Sequence, residues 1–232
     1  LRNSAYFLLH VFLSVAFTIA IQSCSTEVPV PQGIIVYNVS YLNLEQSILE
    51  NVLPSEMTIL FKGDLVRGQL RSIGGVVSSE FIGNQKTKEF KQLLKSYQEH
   101  YVCSLDEKGV KAFIENFPEV NLESTDETKV ISGYMCNVTL AHPLVGGEPM
   151  RLYHTNDLGI IKPNWYTQFS EIEGVLLGYE LEQFGMKLLL EAREIENRPV
   201  DDAVFVVDPK YLDVDAAKME SIFEKLIADF NE

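Results

Sequence analysis

Histidine, cysteine, tryptophan and basic charge are all scarce in this chain of 232 residues. It contains four His, three Cys and a single Trp. His10, His100, His142 and His154 stand far apart, with no H-x-x-x-H or C-x-x-C spacing, so the sequence encodes neither a zinc centre nor a redox dithiol. There is no G-x-S-x-G elbow and no glycine-rich phosphate loop. Asp213-Val214-Asp215 lacks the glycine and remaining oxygen ligands of a calcium loop and reads as helix capping. No catalytic residue, metal ligand set or cofactor is therefore expected. Basic residues number 19 against 33 acidic, a net charge of −14. Counterion release from a phosphate backbone needs clustered Lys and Arg, so nucleic acid is set aside as a partner. Arg67 and Arg71 alternate on one run, where they either meet water or face a carboxylate or phosphate.

What is plentiful is apolar side chain, at 46% hydrophobic and 10% aromatic. That is enough for one domain with a core needing no metal or disulfide. Leu1 stands where an initiating Met would, so the start is expected to lie further upstream. Arg2 is the only charge before Cys24, and Ala5 to Ile21 is an uncharged apolar run. This pattern predicts a signal peptide over residues 1–23. Simple secretion and an uncleaved anchor are the alternatives; His10 counts against the anchor. Ile21-Gln22-Ser23-Cys24 resembles the lipobox of bacterial lipoproteins, which implies that Cys24 is acylated and begins the mature chain. Pro29 and Pro31 then make residues 24–32 an extended tether. Ser25, rather than Asp, resembles the signal for the outer membrane. The expectation is an exported lipoprotein held by acyl chains on the periplasmic side.

From Gly33 onward the dominant pattern alternates with period two. Ile35, Tyr37, Val39 and Tyr41 share one face, as do Met57, Ile59 and Phe61. Val130, Tyr134, Cys136, Val138 and Leu140 are read as one further run, with Ser132 the exception. Val175, Leu177, Tyr179 and Leu181 lead through a short Gly-containing loop to Met186, Leu188, Leu190 and Ala192, which reads as a hairpin. Further runs lie near 64–73, 76–82, 99–105, 149–155 and 203–207. Such alternation marks strands covered on one face. The prediction is a mainly β, α+β domain over residues 33–232, with an antiparallel sheet of about ten or eleven strands. Helices are expected after Asp106, briefly after Asn43, and over about 213–231, where Met219, Ile222, Phe223, Leu226, Ile227 and Phe230 form one apolar stripe.

Two blocks carry a family resemblance: Met57-Thr58-Ile59-Leu60-Phe61-Lys62-Gly63 and Gly133-Tyr134-Met135-Cys136. With the signal segment and the run Ile172–Tyr179, they resemble an uncharacterised group of Gram-negative periplasmic lipoproteins whose fold is similar to LolA and LolB. The resemblance implies a strongly curved antiparallel half-barrel with helices on its concave side. In LolA and LolB that concavity holds acyl chains, but no ligand-contacting residue of theirs maps onto a position here.

The candidate ligand-lining residues are therefore Val175, Leu177, Tyr179, Leu181, Met186, Leu188 and Leu190. Packing under the C-terminal helix is the competing role for them. Trp165, Tyr166 and Phe169 crowd one loop and mark either a binding mouth or an anchor of that loop onto the sheet. Cys103 and Cys136 are read as two separate buried thiols, with a disulfide as the alternative. His154 and Asp157 read as surface polar residues. The functional expectation is a non-enzymatic, membrane-anchored protein that binds a lipid or an acylated partner. The alternative is a structural protein of the envelope whose cavity its own helix fills, with loops engaging an envelope protein.

Overall fold

The computed structural model describes residues 30–43, 53–71, 77–183 and 186–230. The segment expected to be a signal peptide, Cys24, most of the expected tether and the turn expected after Asn43 lie outside them. Gln32 already belongs to the first strand, and its Oε1 accepts a hydrogen bond from Val200 N at 3.1 Å.

Twelve strands form one sheet among the described residues. They are β1 (Gln32–Tyr41), β2 (Glu56–Lys62), β3 (Leu65–Arg71), β4 (Val77–Asn84), β5 (Glu89–Ser96), β6 (Glu99–Leu105), β7 (Val120–Ile131), β8 (Tyr134–Pro143), β9 (Met150–Thr155), β10 (Val175–Gln183), β11 (Met186–Glu196) and the short β12 (Leu212–Asp213). Their order is β12-β6-β5-β4-β3-β2-β1-β11-β10-β9-β8-β7. Every neighbouring pair is antiparallel except β12 with β6. The chain is thus mainly β, an open curved sheet with two α-helices among the described residues.

Register shows which side chains share a face. Ile35 pairs with Ile59 and Ile59 with Gly68; Gly68 pairs with Phe81. Across the other edge of β1, Val39 pairs with Leu190 and Leu190 with Tyr179. Residues from strands as far apart in the sheet as β5 and β10 wall one cavity, so this face is the concave one. Gly68 is required on it: a Cβ there would lie 2.1 Å from the Phe81 ring.

Both helices cover the concave face. Helix α1 (Glu107–Ile114) is capped by Asp106, whose carboxylate accepts from Gly109 N at 2.8 Å. Phe113 of this helix stacks on Phe90 of β5. Helix α2 (Ala216–Phe230) starts with the Asp215 carboxylate accepting from Lys218 N at 2.7 Å. Its Met219 and Phe223 are buried on Leu94 and Cys103.

The convex face is not simply left to water. Ile82, Leu93 and Val102 are buried there against Phe205, Val207 and Tyr211. This covering explains why β5 escaped the sequence reading: Leu93 and Leu94 are both buried, one on each face, and the alternation disappears. Residues 203–207 are a correction. They form a single 3-10 turn at Asp202–Phe205, capped by the Asp201 carboxylate on Ala203 N, rather than a strand. The run 130–140 is a second correction. Ser132 and Gly133 both have positive φ (49° and 84°) and turn the chain between the paired residues Ile131 and Tyr134. Val130 is consequently 59% exposed on β7 while Cys136 is fully buried on β8.

Candidate functional site

Residues 156–174 connect β9 to β10 and lie over the concave face, and their own polar groups hold them in shape. The buried Asn164 amide donates to Ile172 O at 2.8 Å and to Gly174 O at 2.9 Å. Thr167 donates its hydroxyl to Asn164 O and accepts from Phe169 N. The braced loop then delivers its aromatics to the far half of the sheet. Tyr166 stacks on Phe90 with centroids 5.1 Å apart and leans on Phe81 at 5.0 Å; Trp165 meets Phe90 edge-on at 6.4 Å. Phe169, 1% exposed, sits edge-on to Tyr179. The aromatic loop thus joins two halves of the curved sheet, and it anchors and lines the cavity at once.

Beneath it lies a cavity of about 210 Å³. Of the residues expected to line it, Val175, Tyr179, Leu181, Leu188 and Leu190 do so, together with Trp165, Tyr166 and Phe169. Leu177 and Met186 do not. β10 carries a register shift against β9 between Leu176 and Gly178, and the extra residue brings Leu176 to the cavity while Leu177 is fully buried in the main cluster. Met186 packs at the edge of that cluster. A second cavity of about 260 Å³ lies between α1, α2 and β5 and shares Gln92, Phe113, Phe117 and Phe223 with the first.

Polar side chains also line the first cavity, Gln69, Gln85 and Gln92 among them. Tyr37 donates its hydroxyl to the buried Leu176 O at 2.8 Å. Burial pushes the Tyr37, Tyr166 and Tyr179 hydroxyls well above the usual tyrosine range, so all three remain protonated donors. Gln168 Oε1 is buried without a hydrogen-bond partner. Charged lining residues lie apart from this centre: Asp64 and Lys162 are exposed. The Glu80 carboxylate is tied up by Arg67, Gln69 and Arg71. Arg67 and Arg71 therefore face a carboxylate, that of the neighbouring strand.

Other polar candidates are not assembled into a centre. Cys103 and Cys136 are free buried thiols in different clusters, near opposite ends of the sheet; this overturns the disulfide alternative. Burial raises both thiol pKa values, which suppresses the reactive thiolate. His154 contacts Thr139 Oγ1 at 3.0 Å, and burial lowers its pKa. His142 pairs with Glu123 at 2.8 Å. Among the described residues no three His, Cys, Asp or Glu side chains are grouped to hold a metal ion, and no helix is long and apolar enough to cross a membrane.

Two solved structures of PNGF-II share this fold. The structure of PNGF-II in the C2 space group superimposes with a TM-score of 0.51 over 82% of the chain, at 19% identity. The P21 form gives 0.52 over 83%, at 18% identity. The chain spans about a third of the length of PNGF-II, covering 32% and 33% of those two chains. No protein-family model and no curated protein matches the chain. At this identity the likeness concerns the curved sheet alone, and function has to be argued from the cavity.

Sequence reasoning missed the rings on which the loop rests, Phe81 and Phe90, and the cavity groups Tyr37 and Gln168. Tyr37 was visible as part of an apolar face. Nothing local marks Gln168, because its significance arises only from what surrounds it.

Proposed function

We propose that the chain is the binding domain of a membrane-anchored lipoprotein of the cell envelope, which takes an apolar ligand or the acyl group of a partner into its concavity. The observation that carries this reading is the cavity itself, walled by aliphatic and aromatic side chains beneath a loop that braces its own backbone. The resemblance to the LolA and LolB half-barrel supports the same ligand class. Size sets a condition. Pockets for drug-sized ligands run to roughly 300–1,000 Å³, whereas a dry cavity of about 150 Å³ holds benzene. The 210 Å³ space accepts a short chain or one ring system as it stands. A full acyl chain needs the neighbouring 260 Å³ space as well, reached by rotation of Phe117 or Phe223 in the shared wall. Binding would release water from apolar surface at about 25 cal/mol per Å², less the cost of ordering.

The small residual volume favours a second reading, an interaction protein of the envelope whose concavity is filled by its own loop and helices. Trp165, the single Trp, lines the cavity and separates the two. Carriage predicts a molecule that co-purifies in native mass spectra and is lost on organic extraction, after which alkyl probes of eight to sixteen carbons shift Trp165 emission saturably. A chain that purifies empty and gives no saturable shift leaves the self-filled reading.

Anchoring is tested apart from binding. Cys24→Ala should abolish acyl labelling and move the protein out of the membrane fraction. Unlabelled protein that stays with the membrane would reject the lipoprotein assignment.

A further inference from the structure

The apolar ligand of the proposed function has one polar demand placed on it. Tyr37, Tyr166, Tyr179 and Gln168 all line the first cavity, and the Tyr37 ring meets Tyr179 edge-on at 6.2 Å. The Tyr37 hydroxyl already donates to Leu176 O. Gln168 Oε1 is buried without a hydrogen-bond partner. A wall of apolar side chains with a few convergent polar groups is the usual form of a small-molecule site. Leaving a buried amide oxygen unpaired is costly, so the site gains most from an occupant that completes the set.

We infer that the cavity selects an uncharged amphiphile, an alkyl or ring body ending in a hydroxyl, whose polar end is held by the tyrosine hydroxyls and the Gln168 amide. Once the Gln168 side chain turns its amide toward the cavity, a hydroxyl can donate to Oε1 while accepting from a tyrosine hydroxyl, and it satisfies the amide in either orientation. A carboxylate is disfavoured for two reasons. It cannot donate to Oε1, and the cations near the cavity are elsewhere engaged or exposed: Arg67 and Arg71 hold Glu80, and Lys162 is exposed. An ionised head there would be buried without a counter-charge. This inference rests on the binding function proposed above and narrows its ligand class.

The test compares three probes of matched chain length on the full chain: 1-octanol, methyl octyl ether and octanoate at pH 7, followed by Trp165 emission and by calorimetry. The alcohol should bind about tenfold more tightly than the ether, the worth of one completed buried hydrogen bond, and octanoate should be the weakest. Gln168→Leu should erase the preference for alcohol over ether while still binding both. Without ligand it should melt higher than the parent, since an unpaired buried polar atom has been removed. Tyr179→Phe should likewise reduce the preference while keeping the ring that Phe169 and Tyr37 contact. Equal affinity for alcohol and ether in the parent chain overturns this inference and leaves apolar binding intact. Tighter binding of octanoate also overturns it. If none of the three binds, the inference and the proposed function fall together.

Discussion

Phe90→Ala is expected to destabilise the domain by about 3–5 kcal/mol, the range for removing a large buried aromatic. Phe90 is 3% exposed and stands at the hub of the concave face. It stacks on Phe81, Tyr166 and Phe113 and receives the edge of Trp165. Each such pair adds about 0.5–1.5 kcal/mol beyond the area it buries. The loss therefore reaches β4, helix α1 and the 156–174 loop together, and a domain of this size should melt roughly 10 °C lower. The same substitution removes the floor on which Tyr166 rests, so Trp165 emission should move to the red in protein that is still folded. Phe90→Leu keeps most of the burial and loses the stacking, so its cost should be about half. Equal stability of Phe90→Ala and the parent chain by denaturant unfolding would show that the loop is held by its own hydrogen bonds alone.

Glu80→Ala belongs to the same range, about 3–5 kcal/mol, for a different reason. The Glu80 side chain is only 6% exposed, and Arg67 beside it 15%. Arg67 Nε donates to the carboxylate at 2.9 Å, Gln69 Nε2 at 3.0 Å, and Arg71 reaches the other oxygen at 3.4 Å. Arg67 also donates to Val204 O, which ties the 3-10 turn to the convex face. Removing the carboxylate leaves a guanidinium largely buried without its counter-charge, and that uncompensated charge is the source of the cost. Arg71 is 56% exposed and should matter little by itself. The double substitution Arg67→Met with Glu80→Leu should recover most of the loss, since an apolar pair has no charge to strand.

The same cluster fixes a direction with pH. Burial alone would raise the Glu80 pKa, but hydrogen bonds from Gln69 and Arg67 and the charges of Arg67 and Arg71 outweigh it. The folded value lies below the usual glutamate value of about 4.5. The unfolded chain therefore binds this proton more readily. The contribution is complete above the unfolded value and is lost as pH falls through the lower folded one. Glu80→Gln should flatten that acid limb of the stability curve. An unchanged slope below about pH 4.5 would place the acid sensitivity elsewhere.

Much of the sheet was legible because its local chemistry is one-sided. β1 and β11 bury alternate residues on the concave face, and Asp106 and Asp215 cap their helices through neighbours a few residues away. The strands that escaped are those where that simplicity fails. β5 buries side chains on both faces, and β7 is an edge strand whose outward side chains are mostly exposed. A one-residue shift in β10 likewise moved Leu177 off the cavity and Leu176 onto it, a change that composition does not encode.

By itself, then, the sequence determined a mainly β chain with an excess of acidic residues, an apolar face and few chemically reactive groups. Periodicity and composition act through neighbours along the chain, and those properties need nothing more. Tertiary structure alone decided that the loop after β9 reaches across to β4 and β5, that Glu80 gathers two arginines, and that the amide oxygen at position 168 is buried without a partner. The first depends on packing between residues as distant in the chain as Phe90 and Tyr166, and the second on the register that sets Gln69 opposite Glu80.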